Sequence, residues 1–94
     1  MSSKSGKTIL LVEDDAAIID TLTMFLRYEG YEVLKARSVG RALEVLETTC
    51  PDLVLLDYML QDDTGDRVVA FARRKYGYDT KIMLLTAVDD AEGR

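Results

Sequence analysis

The sequence predicts an α/β fold, a doubly wound parallel sheet with helices on both faces. Three short runs, residues 8–12, 53–56 and 82–85, consist almost wholly of apolar side chains. Runs without polar alternation favour strands that are buried on both faces. Segments with helical spacing lie between these runs, and strands that alternate with helices are joined by right-handed crossovers.

The first helix is expected to follow the first strand and to end at Gly30. Its apolar side chains recur at helical spacing and are Ile18, Leu22, Phe25 and Leu26. Gly30 has no Cβ and therefore suits the left-handed position that often ends a helix. Residues 31–36 alternate apolar and charged side chains more than the other runs do, which favours a strand at the edge of the sheet.

Two more helices follow in the same way. Ser38 is a suitable N-cap for the second helix. The apolar positions of this helix are Val39, Ala42, Leu43 and Leu46. Pro51 prevents its continuation, because proline lacks a backbone donor and restricts the residue before it. The third helix is expected to end at Gly77, with apolar positions at Val68, Val69, Ala72 and Tyr76. Residues 87–94 suit the start of a fourth helix.

The composition is typical of one globular domain, with 48% apolar and 31% charged residues in 94. A net charge of −5 argues against direct binding of nucleic acid through phosphate contacts. No apolar run approaches the roughly 20 residues of a membrane-spanning helix, so no membrane contact is expected. The single cysteine, Cys50, and the absence of histidine fit a reducing cytoplasm. Residues 1–7 form a polar lead that is expected to be flexible.

Acidic residues gather at the predicted carboxyl ends of the strands, where ligands bind in open parallel sheets. Glu13, Asp14 and Asp15 follow the first strand, Asp57 ends the third, and Thr86 ends the fourth. Carboxylates that are brought together repel one another unless a cation neutralises them. Oxygen ligands without histidine or cysteine favour Mg²⁺. Beside such an ion, an aspartate can act as a nucleophile toward phosphorus, and a threonine hydroxyl can donate to a phosphoryl oxygen.

A plainer interpretation of the acidic pair is helix capping. Asp14 and Asp15 would then only favour the positive end of the first helix dipole. This interpretation explains one of the two residues, but it leaves Asp57 at the end of an apolar strand without a local partner. The plainer interpretation of Thr86 is an ordinary threonine at the end of a strand.

Four motifs in register resemble the response-regulator receiver family of two-component signalling. They are residues 11–15 (LVEDD), residues 51–57 (PDLVLLD), Gly65, and residues 84–87 (LLTA). The resemblance covers about residues 7–90, and each fragment alone would be weak evidence. It implies a flavodoxin-like sheet with strand order 2-1-3-4, in which the family's fifth strand and last helix are absent from this chain.

The resemblance also implies roles for individual residues. Asp57 would be the phosphorylation site, and Glu13, Asp14 and Asp57 would hold Mg²⁺ together with the backbone carbonyl of Met59. Thr86 would be the switch hydroxyl that moves toward the phosphate. A histidine kinase or a histidine phosphotransfer protein would donate the phosphoryl group, and the resulting change of conformation would control an output. The protein would not be an enzyme beyond its own phosphorylation and dephosphorylation.

Two departures from the family pattern bear on these expectations. Gln61 stands where the family usually has a proline, so the turn after Asp57 is expected to be less rigid. The family pattern also needs a further strand that carries a phosphate-pairing lysine, and neither Lys75 nor Lys81 fits that place. Residues 8–94 are therefore expected to be a C-terminally incomplete receiver domain, either part of a longer chain or completed by a second copy or another partner.

Other classes of protein fit less well. Asp63-Thr64-Gly65 matches the catalytic tripeptide of retroviral-type aspartic proteases, but the helical spacings contradict an all-β fold. A calcium-binding loop after Asp57 would need oxygen ligands at Met59 and Gln61. A phosphohydrolase with an aspartyl nucleophile normally has a second Asp at the position of Met59. The remaining alternative is a truncated or degenerate receiver-like interaction module that no longer cycles phosphate.

Overall fold

The computed structural model of the chain describes residues 6–57, 60 and 65–85. Strands and helices alternate from the first element to the last, as predicted. In chain order they are β1 (Thr8–Val12), α1 (Ala16–Tyr28), β2 (Glu32–Ala36), α2 (Val39–Thr48), β3 (Leu53–Asp57), α3 (Asp66–Tyr76) and β4 (Lys81–Leu85). The predicted fourth helix in residues 87–94, the turn residue Gln61 and residues 1–5 of the N-terminal lead lie outside the described residues.

The four strands form one parallel sheet in the order β2-β1-β3-β4, which confirms the predicted topology. The inner strands β1 and β3 are buried along most of their length, whereas β2 lies at one edge, as its alternating sequence predicted. β4 lies at the other edge of the described sheet. Met83 and Leu84 of β4 are 55% and 49% exposed, so the prediction of burial on both faces holds for β1 and β3 but is wrong for β4.

Each face of the sheet has its own apolar core. On one face, α2 and α3 cover alternate residues of the inner strands, and the fully buried side chains of that core include Leu10, Val12, Val54, Leu56, Leu46 and Val68. On the other face, α1 packs Ile19 against the remaining strand residues, which include Ile9, Leu11 and Leu55. The residues of the inner strands therefore alternate between two cores, which explains why residues 9–12 and 53–56 are all apolar.

The buried face of α1 differs from the prediction. Ile19 and Thr23 are buried, and Leu22 and Leu26 pack partly against the core, whereas Ile18 and Phe25 are 42% and 60% exposed. Apolar residues occupy two overlapping stripes of this helix, and the sheet covers only the stripe that contains Ile19. Ile18, in the other stripe, lines a cavity together with Leu85 of β4.

Helix ends follow the predicted local signals. Gly30 adopts a φ of 96°, and its N–H donates to the Arg27 carbonyl at 2.9 Å while the Tyr31 N–H donates to the Leu26 carbonyl at 3.1 Å. These two bonds form the Schellman motif that ends α1. Ser38 Oγ accepts a hydrogen bond from the Arg41 N–H at 3.0 Å and so caps α2.

Within the described ranges, no helix has the length and apolar character needed to cross a membrane.

A buried threonine joins the segments that precede β3 and β4. Thr80 is fully buried, and its hydroxyl donates to the Pro51 carbonyl at 2.8 Å. The guanidinium of Arg73 donates to the Thr80 carbonyl at 2.7 Å and to the Gly77 carbonyl at 2.8 Å. These bonds fix the turn between α3 and β4 against the start of β3.

Replacing Thr80 by valine is expected to lower the free energy of unfolding by about 1–3 kcal/mol, because the buried Pro51 carbonyl loses its donor while the shape is kept. Urea denaturation measures the change. Thr48→Val is the control, since Thr48 is exposed and its hydroxyl makes only a 3.5 Å contact with the Val45 carbonyl. Equal stability of the two variants would contradict the role given to Thr80.

Gly65 begins the turn into α3 at a position where a side chain has no room. A Cβ on Gly65 would lie 2.8 Å from Leu56 Cδ2 and 3.1 Å from Leu56 Cγ. Its φ of −73° is open to any residue, so the glycine is needed for space and not for backbone conformation. Leu56 is fully buried and directly precedes Asp57, so α3 packs tightly against the strand that carries this aspartate.

Gly65→Ala is expected to destabilise the fold by about 1–3 kcal/mol, the usual effect of overpacking a core. Gly40→Ala, in α2, is the matched control: the nearest atom to its Cβ would be Ser38 Oγ at 3.9 Å. That change should stabilise the protein by up to about 1 kcal/mol, because alanine favours helix. Chemical denaturation of both variants tests the contact. Wild-type stability in Gly65→Ala would show that Leu56 moves aside without cost.

Candidate functional site

The carboxyl ends of the two inner strands lie side by side. Val12 of β1 pairs with Leu56 of β3, so Glu13 follows β1 at the place where Asp57 ends β3. The Glu13 N–H donates to the Ala36 carbonyl at 3.0 Å, which extends the β1–β2 ladder by one residue. The parallel register of β1 and β3 thus brings an acidic residue from each of these two strands to the carboxyl end of the sheet.

Three carboxylates lie close together at this end of the sheet. One side-chain oxygen from each of Glu13, Asp14 and Asp57 lies within 4.8 Å of the others. Glu13 is only 5% exposed, whereas Asp14 and Asp57 are partly exposed. The structure therefore brings together three of the residues that the sequence singled out. Met59 and Thr86, to which the resemblance also gave roles, lie outside the described residues.

The structure separates the roles of the two adjacent aspartates. Asp15 caps α1, because its Oδ1 accepts hydrogen bonds from the Ala17 N–H at 2.9 Å and from the Ile18 N–H at 3.1 Å. Asp14 belongs to the carboxylate cluster. The capping interpretation was expected to explain one residue of the acidic pair, and that residue is Asp15. The carboxylate of Asp14 instead lies close to those of Glu13 and Asp57.

The electrostatics of the cluster act most strongly on Glu13. Burial raises the pKa of the Glu13 carboxyl above its ordinary value of 4.5, and the negative charges of Asp57 and Asp14 raise it further. The Asp15 N–H, which donates to Glu13 Oε2 at 3.1 Å, opposes this rise in pKa. Without a cation, the charged form of Glu13 is thus disfavoured in the folded protein.

The cluster opens into a cavity of about 450 Å³. Its polar lining residues are Glu13, Thr21 and Asp57, and its apolar lining includes Ile18, Leu22 and Leu85. The partly exposed Asp57 is therefore reachable from solvent beside a space larger than a phosphoryl group. The donor set of three carboxylates fits a hard divalent ion such as Mg²⁺, which binds through a few carboxylates and keeps several waters.

One basic residue at the site was missed by the sequence analysis. The Nη2 of Arg37 donates a hydrogen bond to the backbone carbonyl of Asp14 at 3.1 Å, across 23 positions of the chain. Arg37 directly follows β2, so it lies at the carboxyl end of the parallel sheet, as the acidic residues do. The rule that ligand-site residues follow the carboxyl ends of strands could have identified it.

Comparison with known proteins identifies the class to which this fold and site belong. The sequence profile of the response regulator receiver domain matches residues 9–94. The chain therefore belongs to this family, the receiver domains of two-component response regulators, whose members are signalling phosphoacceptors that interact with histidine kinases or phosphotransfer proteins. The resemblance found in the sequence is confirmed.

Individual relatives agree with this assignment. The chain is 36% identical over 90 residues to the phosphate regulon transcriptional regulatory protein PhoB of Pseudomonas aeruginosa, covering 95% of this chain and 39% of that protein. The chain thus spans well under half the length of this curated relative.

Two solved structures share the fold. A CheY-like receiver domain protein from Methanospirillum hungatei superposes with a TM-score of 0.83 and 34% identity, over 92% of this chain and 68% of that one. TrrA from Thermotoga maritima, in complex with Mg²⁺ and BeF, gives a TM-score of 0.79 and 38% identity, over 87% of this chain and 70% of that one.

Glu13→Gln is expected to stabilise the metal-free protein at pH 7, by roughly 1 kcal/mol, the usual size of a single-residue effect. The folded protein binds the Glu13 proton more tightly than the unfolded chain does, so wild-type stability falls as the pH rises from 4.5 through the higher folded-state pKa. The uncharged glutamine removes this loss, and the gap between the two proteins should grow with pH over that window.

Urea denaturation in the presence of a chelator, between pH 4 and pH 8, measures this gap. Glu32→Gln is the control, because Glu32 is exposed on the edge strand β2 and its replacement should change stability by less than about 0.5 kcal/mol. A Glu13→Gln protein that is less stable than the wild type at pH 7 would contradict the repulsion inferred for the cluster.

Proposed function

We propose that this chain is the phospho-accepting receiver domain of a response regulator and that Asp57 takes the phosphoryl group. The observation that carries the proposal is the convergence of the Glu13, Asp14 and Asp57 carboxylates at the end of β3. The Mg²⁺ and BeF bound to TrrA, which is similar over 87% of this chain, support the same assignment. Residues 8–94 would constitute the receiver domain, acting in the cytoplasm.

Glu13, Asp14 and Asp57 would hold a magnesium ion, with the backbone carbonyl of Met59 as a further ligand by resemblance to the family. When bound, the ion would offset the negative charge on the oxygens of the incoming phosphoryl group. The same ion would relieve the repulsion that raises the pKa of Glu13. Because the three carboxylates repel one another in the absence of a cation, a bound cation would stabilise their charged forms.

Asp57 would act as the nucleophile. β3 pairs with β1 on one side and with β4 on the other, so the backbone that carries Asp57 is fixed by two ladders, and Leu85 pairs with Asp57 directly. A carboxylate oxygen of Asp57 would form a bond to phosphorus while the phosphorus–nitrogen bond of a phosphohistidine breaks, leaving an acyl phosphate. The chain contains no histidine, so the phosphohistidine would belong to a histidine kinase or a histidine phosphotransfer protein.

Thr86 would respond to the phosphorylation. It directly follows Leu85, the residue that pairs with Asp57, and its hydroxyl would donate to a phosphoryl oxygen. Movement of Thr86 toward the phosphate would reshape the face formed by β4 and the residues after it, and this change would control the output.

Treatment with acetyl phosphate and Mg²⁺ tests the proposal. The wild-type protein should give a phosphorylated band on a phosphate-affinity gel, and hydroxylamine should remove the band because it cleaves acyl phosphates. Asp57→Asn should abolish the band. Asp52→Asn is the matched control at the opposite end of β3, where Asp52 Oδ2 accepts from the Thr8 N–H at 2.7 Å and an asparagine oxygen can still accept; it should be phosphorylated like the wild type.

Two results would contradict the proposal in different ways. A band that persists in Asp57→Asn would assign the phosphoryl group to another residue. A folded wild-type protein that stays unmodified would favour the alternative, a receiver-like interaction module that no longer cycles phosphate.

A further inference from the structure

We propose that Arg37 is a positioning residue of the carboxylate cluster: it holds the backbone of Asp14 so that this carboxylate faces those of Glu13 and Asp57. The inference rests on the proposed function, because it concerns the affinity of the same site for Mg²⁺. Arg37 itself touches neither the phosphoryl group nor the ion in this account. It acts through the carbonyl of Asp14, to which its Nη2 donates at 3.1 Å.

The loop between β1 and α1 shows why this bond matters. Glu13 is fixed by the bond from its N–H to the Ala36 carbonyl at 3.0 Å, and Asp15 is fixed as the cap of α1. The Asp15 N–H also holds the Glu13 carboxylate, at 3.1 Å. Asp14 lies between these two anchored residues, and the bond from Arg37 constrains the peptide unit that Asp14 shares with Asp15.

Arg37 is itself placed between two fixed residues. Ala36 pairs with Val12 in the sheet, and Ser38 caps α2 through the Arg41 N–H. The backbone on both sides of Arg37 is therefore held by regular structure, and only its side chain must be ordered to make the bond. This side chain links the loop after β2 to the loop after β1. Both loops begin at the carboxyl end of the sheet, where the carboxylate cluster lies.

A purely electrostatic effect of Arg37 would have the opposite sign. A positive charge near three carboxylates repels an incoming cation, so removing only that charge should strengthen Mg²⁺ binding. Loss of a positioning contact should instead weaken binding, because Asp14 must then be ordered when the ion binds. The direction of the change in affinity therefore separates the two effects.

Arg41 provides a matched control for this comparison. It lines the same surface cavity as Arg37, together with Lys35, and carries the same charge. Its guanidinium, however, pairs with Glu44 at 2.9 Å on the exposed face of α2. Arg41→Ala thus removes a cation from the same cavity, while the bond from Arg37 to the Asp14 carbonyl is kept.

Titration of the chelator-treated proteins with MgCl₂ in a calorimeter tests the inference. Arg37→Ala should weaken binding roughly three- to tenfold, the effect of losing one ordinary hydrogen bond. Arg41→Ala should bind within about twofold of the wild type. In the metal-free state, the Asp15 amide signal in nitrogen–proton correlation spectra should shift in Arg37→Ala and not in Arg41→Ala, which a general loss of stability would not produce.

Affinity in Arg37→Ala that equals or exceeds that of the wild type, with an unchanged Asp15 amide signal, would overturn the positioning role and leave the proposed function intact. A wild-type protein that folds but binds no Mg²⁺ would overturn both. The two failures are thus distinguished by the wild-type titration alone.

Discussion

The parallel register of β1 and β3 is the constraint from which the site follows. It places Glu13 and Asp57 at neighbouring strand ends, and the loop after β1 adds Asp14. One carboxylate oxygen from each of the three residues therefore lies within 4.8 Å of the others. Burial and the like charges of Asp57 and Asp14 raise the pKa of Glu13, so folding disfavours the charged form of this side chain. Such a cluster of carboxylates is suited to bind a divalent ion, which is the basis of the proposed function.

The sequence predicted the sheet well because the local signals were strong. Residues 9–12 of β1 and 53–56 of β3 are all apolar because they lie between two cores, and Gly30 and Ser38 act on the backbone immediately beside them. Burial was predicted less well where it depends on distant neighbours. β4 has an apolar sequence like that of the inner strands, but in the described sheet only β3 lies beside it. The first helix has two overlapping apolar stripes, and the sequence alone could not show which one meets the sheet.

The same distinction between local and distant signals applies to the site. The carboxyl-end rule placed Glu13 and Asp57 correctly, because it depends only on where strands end. The sequence could not separate Asp14 from Asp15, since either is suitable as a helix cap and only the geometry of the loop shows that Asp15 takes that role. Arg37 also follows the carboxyl end of a strand, but that rule does not show which residues there make contacts, and the bond between Arg37 and Asp14 joins residues that are 23 positions apart.

In the proposed function, a divalent ion bound at the end of β3 neutralises the repulsion among the three carboxylates. Paramagnetic Mn²⁺, used in place of Mg²⁺ at substoichiometric amounts, tests this directly through the line widths of the backbone amide signals. The account predicts that the signals of Glu13, Asp14 and Asp57 broaden first, while those of Asp52 and Asp79 at the opposite end of the sheet stay sharp. Equal broadening at both ends, or earlier broadening at Asp52 and Asp79, would contradict it.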